Sequence, residues 1–316
     1  MKIKIKEKIN SFLFKEKQNW KLASENYFAL SNIRNKIFEI DNNEIIVQFN
    51  PERIISSSAA VDKKSISKRK CFLCEENRPQ EQSILNINSA YDLLLNPFPI
   101  FNPHFTIPAN THKPQLIKNE LEHFVSLLKF FEEEYTVFYN GPECGASAPD
   151  HMHFQACPKS ILPIEAEYRN FAKEANLIFT KENLKVFSVN DKLRQYFVLE
   201  FTNQNSIQFV NEIYSALEKT DQFEYEPKLN LMGFRKEDRF TVLIFPRTKH
   251  RPDFYFAENE TQILISPASV DMGGIVICPR EKDFNKIDET IIRELFGQVC
   301  YSEDEIKRVL NFLDLN

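Results

Sequence analysis

The stretch Asn140-Gly-Pro-Glu-Cys-Gly-Ala-Ser-Ala-Pro-Asp-His-Met-His-Phe-Gln155 decides how this chain is read. Its core is His151-x-His153-x-Gln155. Residues two apart on a strand share a face, so both imidazoles and the amide are predicted on one side, with Met152 and Phe154 opposite. Gly145-Ala146-Ser147 before them is small enough for backbone N–H groups to approach an anion. A neutral imidazole can attack phosphorus and form a phosphoramidate that a second acceptor cleaves. Its ordinary pKa near neutrality leaves it unprotonated as a nucleophile, yet a good leaving group once protonated. Gln155, the Ser147 hydroxyl and the loop amides suit the charge on the free phosphoryl oxygens. The pattern points to chemistry on a phosphate ester, with Asp150 read as a turn residue.

Upstream, Cys71-Phe-Leu-Cys74 is half of a tetrahedral zinc site. In a reducing compartment such a pair means metal or redox chemistry rather than a disulfide staple. The two missing ligands must come from far along the chain, and His104, His112 and His151 are all candidates; spacing alone does not choose. Arg53, in Phe49-Asn-Pro-Glu-Arg53, is a candidate phosphate or base contact. Arg69 and Lys70 read as a solvated basic loop. Glu165 and Glu167 do not suggest a second metal, because the only later histidine is His250. Asp271-Met-Gly-Gly274 reads as a tight turn that needs its glycines.

The 316 residues allow one large domain or two ordinary ones. With 29 Phe and only 6 Gly, a filled core is expected and a Gly-rich phosphate loop is not. A net charge of −5 argues against a protein that coats a nucleic acid polymer, but not against a nucleotide ligand. No run of about 18 apolar residues suggests a membrane span, and the basic N-terminus lacks a signal peptide's apolar region. A cytoplasmic location is expected.

Along the chain, Leu22–Ile40 reads as helical or mixed, Glu44–Phe49 as a strand and Ser56–Lys70 as a loop. Tyr91–Leu95 and His104–Ile107 read as strands around a Pro-rich turn. Pro114 is expected to open a helix with the stripe Ile117, Leu121, Phe124, Val125 and Leu128. Tyr135–Tyr139 and residues 151–157 follow as strands. The second half repeats the order. A hairpin pairs Lys185–Val189 with Tyr196–Phe201. A helix capped by Ser206 carries Ile207, Val210, Ile213, Tyr214 and Leu217. A second hairpin pairs Leu229–Phe234 with Phe240–Phe245. Strands are expected at Ile263–Ile265 and Ile275–Cys278, and Ser302-x-x-Glu305 is a capping box for the last helix. The expectation is an α+β protein of two related halves, 1–175 and 176–316, each an antiparallel sheet with packed helices.

Several of these pieces together resemble one branch of the histidine-triad superfamily, which holds galactose-1-phosphate uridylyltransferase, diadenosine tetraphosphate phosphorylase and the GDP-hexose phosphorylases. Asn50-Pro-Glu-Arg53 resembles its Pro-x-Arg element and Cys71-Phe-Leu-Cys74 its zinc pair. His104-Phe-Thr-Ile-Pro108 with His112, and Asn140 through Gln155, resemble its central stretches. Ile263 through Phe284 resembles the C-terminal half of the sugar-nucleotide enzymes. The resemblance implies two histidine-triad-like halves and a structural zinc on Cys71, Cys74, His112 and His151. It implies His153 as the nucleophile that becomes nucleotidylated, with Gln155 holding the phosphoryl oxygens. Asn140, Gly145, Ala146 and Ser147 would contact phosphates, and Arg53 the nucleotide. The implied substrates are a nucleotide-sugar or dinucleotide and a phosphate acceptor, and a homodimer is compatible with the branch. Met152 stands where the uridylyltransferases carry Pro, which brings the motif closer to the GDP-hexose phosphorylases. The histidines of the iron site found in some uridylyltransferases are absent.

Overall fold

Strands with large apolar side chains on both faces need cover on both faces, and the chain supplies two separate covers. The computed structural model describes residues 2–58 and 62–313. Two helices, Lys2–Asn19 and Lys21–Ala29, lead into the hairpin β1 (Arg34–Ile40) and β2 (Asn43–Phe49). The N-terminal half continues with β3 (Leu85–Asn86), β4 (Asp92–Leu95), β5 (Phe105–Pro108), the helix Leu121–Phe131, β6 (Tyr135–Asn140) and β7 (His153–Pro158). The helix Ile164–Glu174 follows. Then come β8 (Asn176–Lys181), β9 (Leu184–Asn190), β10 (Gln195–Phe201), the helix Phe209–Thr220, β11 (Leu229–Lys236) and β12 (Arg239–Pro246). Strand β13 (Ile275–Cys278) and the helices Glu289–Val299 and Glu303–Phe312 close the chain.

Ten strands form one sheet in the order β3-β4-β5-β7-β6-β11-β12-β10-β9-β8. The two halves of that sheet repeat one pattern. Each runs strand, strand, helix, hairpin, giving β4-β5-β7-β6 on one side and β9-β10-β12-β11 on the other. They meet where β6 and β11 pair antiparallel, from Asn140↔Asn230 to Val137↔Gly233. The α+β class with an antiparallel sheet and packed helices is therefore as expected from sequence.

Side chains alternate across this sheet. Met152, Phe154, Ala156, Val137, Tyr139, Val242 and Ile244 enter a core under the N-terminal helices and the helices 121–131, 209–220 and 303–312. Cys157, Phe138, Leu243 and Phe245 enter a second core on the other face, beneath the helices 164–174 and 289–299 and a small sheet. In that small sheet β2 lies between β1 and β13, pairing in parallel with β13. By the same alternation His153 and Gln155 stand on the second face.

Some expectations are corrected. Pro114 does not open the helix, which starts at Leu121; the segment after it is irregular, and the Gln115 side chain reaches His153 N at the start of β7. Ser206 lies inside a 3-10 turn, Gln204–Gln208, whose cap is Asn203. Ile263–Ile265 is buried but irregular, with the Leu264 amide held by the Asp283 carboxylate at 2.8 Å rather than by a strand. Ser56–Lys70 contains the short helix Lys63–Ile66, and residues 59–61 lie outside the described residues. Strand β7 begins at His153, not His151, so His151 belongs to the loop. The capping box at Ser302 and Glu305 forms as read. No helix among the described residues is long and apolar enough to cross a membrane.

Glu226, fully buried just before β11, ties the halves together. Its Oε2 accepts from Ile117 N at 2.9 Å, and its Oε1 accepts from the Tyr139 hydroxyl. Burial raises this carboxyl to about 7. The folded state thus holds a proton that the unfolded chain has released above its ordinary carboxyl pKa. Its contribution to stability is full at low pH and is lost as pH rises through about 7. Glu226→Gln stays neutral throughout. Between pH 5 and 8, urea denaturation should show the stability difference moving in the variant's favour by up to about 3 kcal/mol. A pH-independent difference would contradict this.

Candidate active site and metal centre

The loop 141–152 leaves the sheet at Asn140 and returns at His153, beside the start of β11. Residues of the second half therefore meet it. Gly145 has φ +98°, open to glycine at little cost, and a Cβ there would lie 2.5 Å from the Ala268 Cβ. Asn140 Oδ1 accepts from Asn230 Nδ2 at 3.1 Å and from Ser269 N at 2.8 Å. Asn230 also donates to Cys144 O at 2.8 Å. Arg247, with no exposed surface, donates to Asn230 Oδ1 at 2.7 Å and to Val299 O at 3.0 Å. A buried guanidinium held mainly by carbonyl oxygens keeps net positive character behind the loop. Within the loop, Cys144 N and Ala146 N both donate to Gly141 O, at 2.9 and 3.3 Å. Ala146 therefore gives its amide to the turn, whereas the amides of Gly145 and Ser147, like those of Glu143, Ala148 and Asp150, have no protein acceptor among the described residues.

Hydrogen bonds fix the protonation pattern of the histidines. His153 Nδ1 lies 2.8 Å from the carbonyl oxygen of His151, which can only accept. The proton must sit on Nδ1, which leaves the lone pair on Nε2. Burial pushes this ring down to about 4, so it is neutral. The amide of Ile100 donates to His104 Nδ1 at 3.2 Å, so His104 carries its proton on Nε2. That proton goes to Gln155 Oε1 at 2.9 Å. The polarity of the Gln155 amide follows: its oxygen is engaged and its NH2 is left to donate. Burial, then the nearby Arg53 charge, pushes His104 down to about 3. His104, weighed in the sequence as a metal ligand, is instead the group that orients Gln155. Arg53 donates from Nη1 to Phe98 O at 2.6 Å, while its buried Nε has no partner. Burial lowers Arg53 to about 10, opposed by Asp271.

The metal candidates converge. Cys71, Cys74, His112 and His151 place one ligand atom each within 4.8 Å of all the others. Cys71 Sγ lies 3.3 Å from His151 Nδ1, and Cys74 Sγ lies 3.2 Å from His112 Nδ1. Ligand atoms about 2.0–2.3 Å from a tetrahedral zinc stand at such separations. His151 Nε2 lies 2.8 Å from Ala109 O, so its proton is there and Nδ1 is free to ligate. The four residues fit a metal ion such as zinc. An ion pair between Arg69 and Asp150, both partly buried, joins the residues flanking Cys71 and His151. Arg69 is thus not simply solvated, and Asp150 is more than a turn. No other metal-type cluster occurs among the described residues, Glu165 and Glu167 included.

The sequence reading missed Gln115, Asn230, Arg247 and Ser269. Ser269 and Arg247 adjoin stretches that were noticed only for glycine or strand pattern, and no local motif marks the other two.

Both halves of the chain are similar to known proteins. Residues 12–158 match the model described as Domain of unknown function (DUF4922), and residues 168–313 match "GDPGP1-like, C-terminal domain". No curated protein matches the chain. The crystal structure of yeast Ap4A phosphorylase Apa2 aligns with a TM-score of 0.59 at 17% identity, over 90% of this chain and 97% of that one. Its complex with Ap4A aligns at 0.58, with 17% identity and the same coverage. A solved uridylyltransferase aligns at 0.36 with 10% identity, over 75% of this chain and 80% of that one. The chain thus shares the two-halved α+β fold of the Ap4A phosphorylase along nearly its whole length. Its second half is similar to the GDPGP1-like C-terminal domain.

The ligand geometry predicts one metal ion per chain. Cys71→Ser should lower both metal content, by elemental analysis, and melting temperature. Full metal occupancy in the variant would contradict the assignment.

Proposed function

We propose that the protein is a nucleotidyltransferase or phosphorylase working through a covalent nucleotidyl-histidine on His153. The observation that carries this is the proton on His153 Nδ1, tied to His151 O, which leaves Nε2 as a neutral nucleophile on the same strand face as the Gln155 NH2. In the first displacement Nε2 bonds to phosphorus as the bond to the bridging oxygen breaks. The electron pair leaves on that oxygen as a phosphate anion. The Nδ1–H bond to His151 O stabilises the positive ring that results. Gln155, the amides of Gly145 and Ser147 and the Ser147 hydroxyl supply donors to the non-bridging oxygens. Asn140 holds the loop neck, Ala146 the turn, and Arg53 offers positive charge to the nucleotide. In the second displacement a phosphate oxygen of the acceptor attacks and the P–N bond breaks.

An amide cannot act as a general base for water. Phosphate acceptors are already anionic and need none, so Gln155 favours transfer over hydrolysis. Zinc on Cys71, Cys74, His112 and His151 would be structural, pinning His151 and hence the carbonyl that fixes the nucleophile's tautomer.

The donor class we favour is a nucleoside diphosphate sugar, in keeping with the GDPGP1-like second half. A dinucleoside polyphosphate is the second reading, favoured by the fold shared with an Ap4A phosphorylase along nearly the whole chain. Intact-protein mass spectrometry after brief mixing with UDP-, GDP- and ADP-sugars and with dinucleoside polyphosphates separates these readings. A nucleoside-monophosphate adduct is expected on the wild type and not on His153→Ala, which should stay folded and lose turnover. Undiminished turnover in His153→Ala would refute the mechanism.

A further inference from the structure

The ladder between β6 and β7 stops short of the nucleophile. Its last pair is Phe138↔Gln155. Continued two residues further in the same register, Asn140 would pair with His153. The side chain of Gln115 lies between them instead. Its Oε1 accepts from His153 N at 2.7 Å. Its Nε2 donates to His153 O and to Asn140 O, both at 2.9 Å. A primary amide offers one strong acceptor and two donors, and here every one of those functions goes to the two ends of the loop 141–152.

Gln115 is itself held on both sides of its peptide. Its N donates to Pro149 O at 3.1 Å, and its O lies 3.1 Å from the Tyr139 hydroxyl, whose single proton is shared with Glu226 Oε1. It has no exposed surface. Glu226, from the second half, fixes the same segment through Ile117 N and Tyr139. The position is therefore over-determined, as a side chain acting as a spacer must be.

The geometry points to Gln115 as a positioning residue for His153. Its amide replaces the missing rung, holds β6 and β7 apart by one amide's width, and fixes the peptide on which the nucleophile is mounted. Direct pairing of Asn140 with His153 would close the neck of the loop 141–152. Gln115 does not touch the reacting atoms. It acts by placing Nε2, and misplacement by about 1 Å can cost about a hundredfold in rate. This inference rests on the reading of His153 as nucleophile.

The test is Gln115→Met, which keeps side-chain length and removes all three bonds, with Gln115→Glu as a second variant that keeps the acceptor and loses both donors. In the variant that folds and retains its metal, kcat should fall about a hundredfold with KM for the donor unchanged. Unchanged kcat, or a rise in KM alone, would overturn the proposal. Amide hydrogen exchange at His153 probes the rung without any substrate. The His153 amide should be protected in the wild type and exchange much faster in either variant; equal rates would overturn the proposal. A wild type that forms no nucleotidyl adduct would count against the nucleophile reading, and the exchange data would still decide whether Gln115 bridges the strands.

Discussion

Everything at the site depends on the seam between β6 and β11. Four antiparallel pairs join two halves of like topology into one sheet. Because the seam is antiparallel, the loop that leaves the end of β6 emerges beside the start of β11 and the end of β12. The first half thereby supplies the histidines and the small-residue loop. The second half supplies Asn230, Arg247 and Ser269, which hold that loop from behind. The matching hairpin of the second half turns tightly at Glu237, φ +57°, and has no room for such a loop. One half of the repeat carries the candidate catalytic residues and the other frames them.

A second constraint is the routing of protons by backbone groups. His151 gives its Nε2 proton to Ala109 O, and its own carbonyl takes the Nδ1 proton of His153. One residue thus offers a nitrogen to the candidate metal cluster and a carbonyl to the His153 ring. The candidate metal site and the candidate active site therefore share a single loop segment. Ile100, His104 and Gln155 form a parallel relay that decides which end of the Gln155 amide faces outward. Burial of both rings keeps them neutral, so neither relay depends on a charged imidazole.

The site was legible in the sequence where chemistry is concentrated locally. His-x-His-x-Gln, the Cys-x-x-Cys pair and the glycine loop all carry their spacing on their face. The strand pattern and the topological repeat were legible too, because apolar alternation and turn residues mark them. What stayed hidden depends on contacts distant in sequence. His104 looks like a spare ligand until the Ile100 amide is seen on its Nδ1. Gln115 sits after a proline that suggests a helix start, yet the segment there is held by Glu226, 111 positions further along the chain. The N-terminal helix Lys2–Asn19 was missed because its first residues alternate Lys and Ile in a strand-like rhythm. Its buried Ile9 and Phe12 join the main core, and tertiary packing overrides that rhythm.

The central claim is that nucleotidyl transfer proceeds by two displacements at one phosphorus. The most direct measurement is the stereochemical course with a donor made chiral at the reacting phosphorus by sulfur substitution. Each displacement inverts, so passage through His153 predicts net retention in the product. Net inversion would mean that the acceptor attacks the donor directly, and would contradict the account.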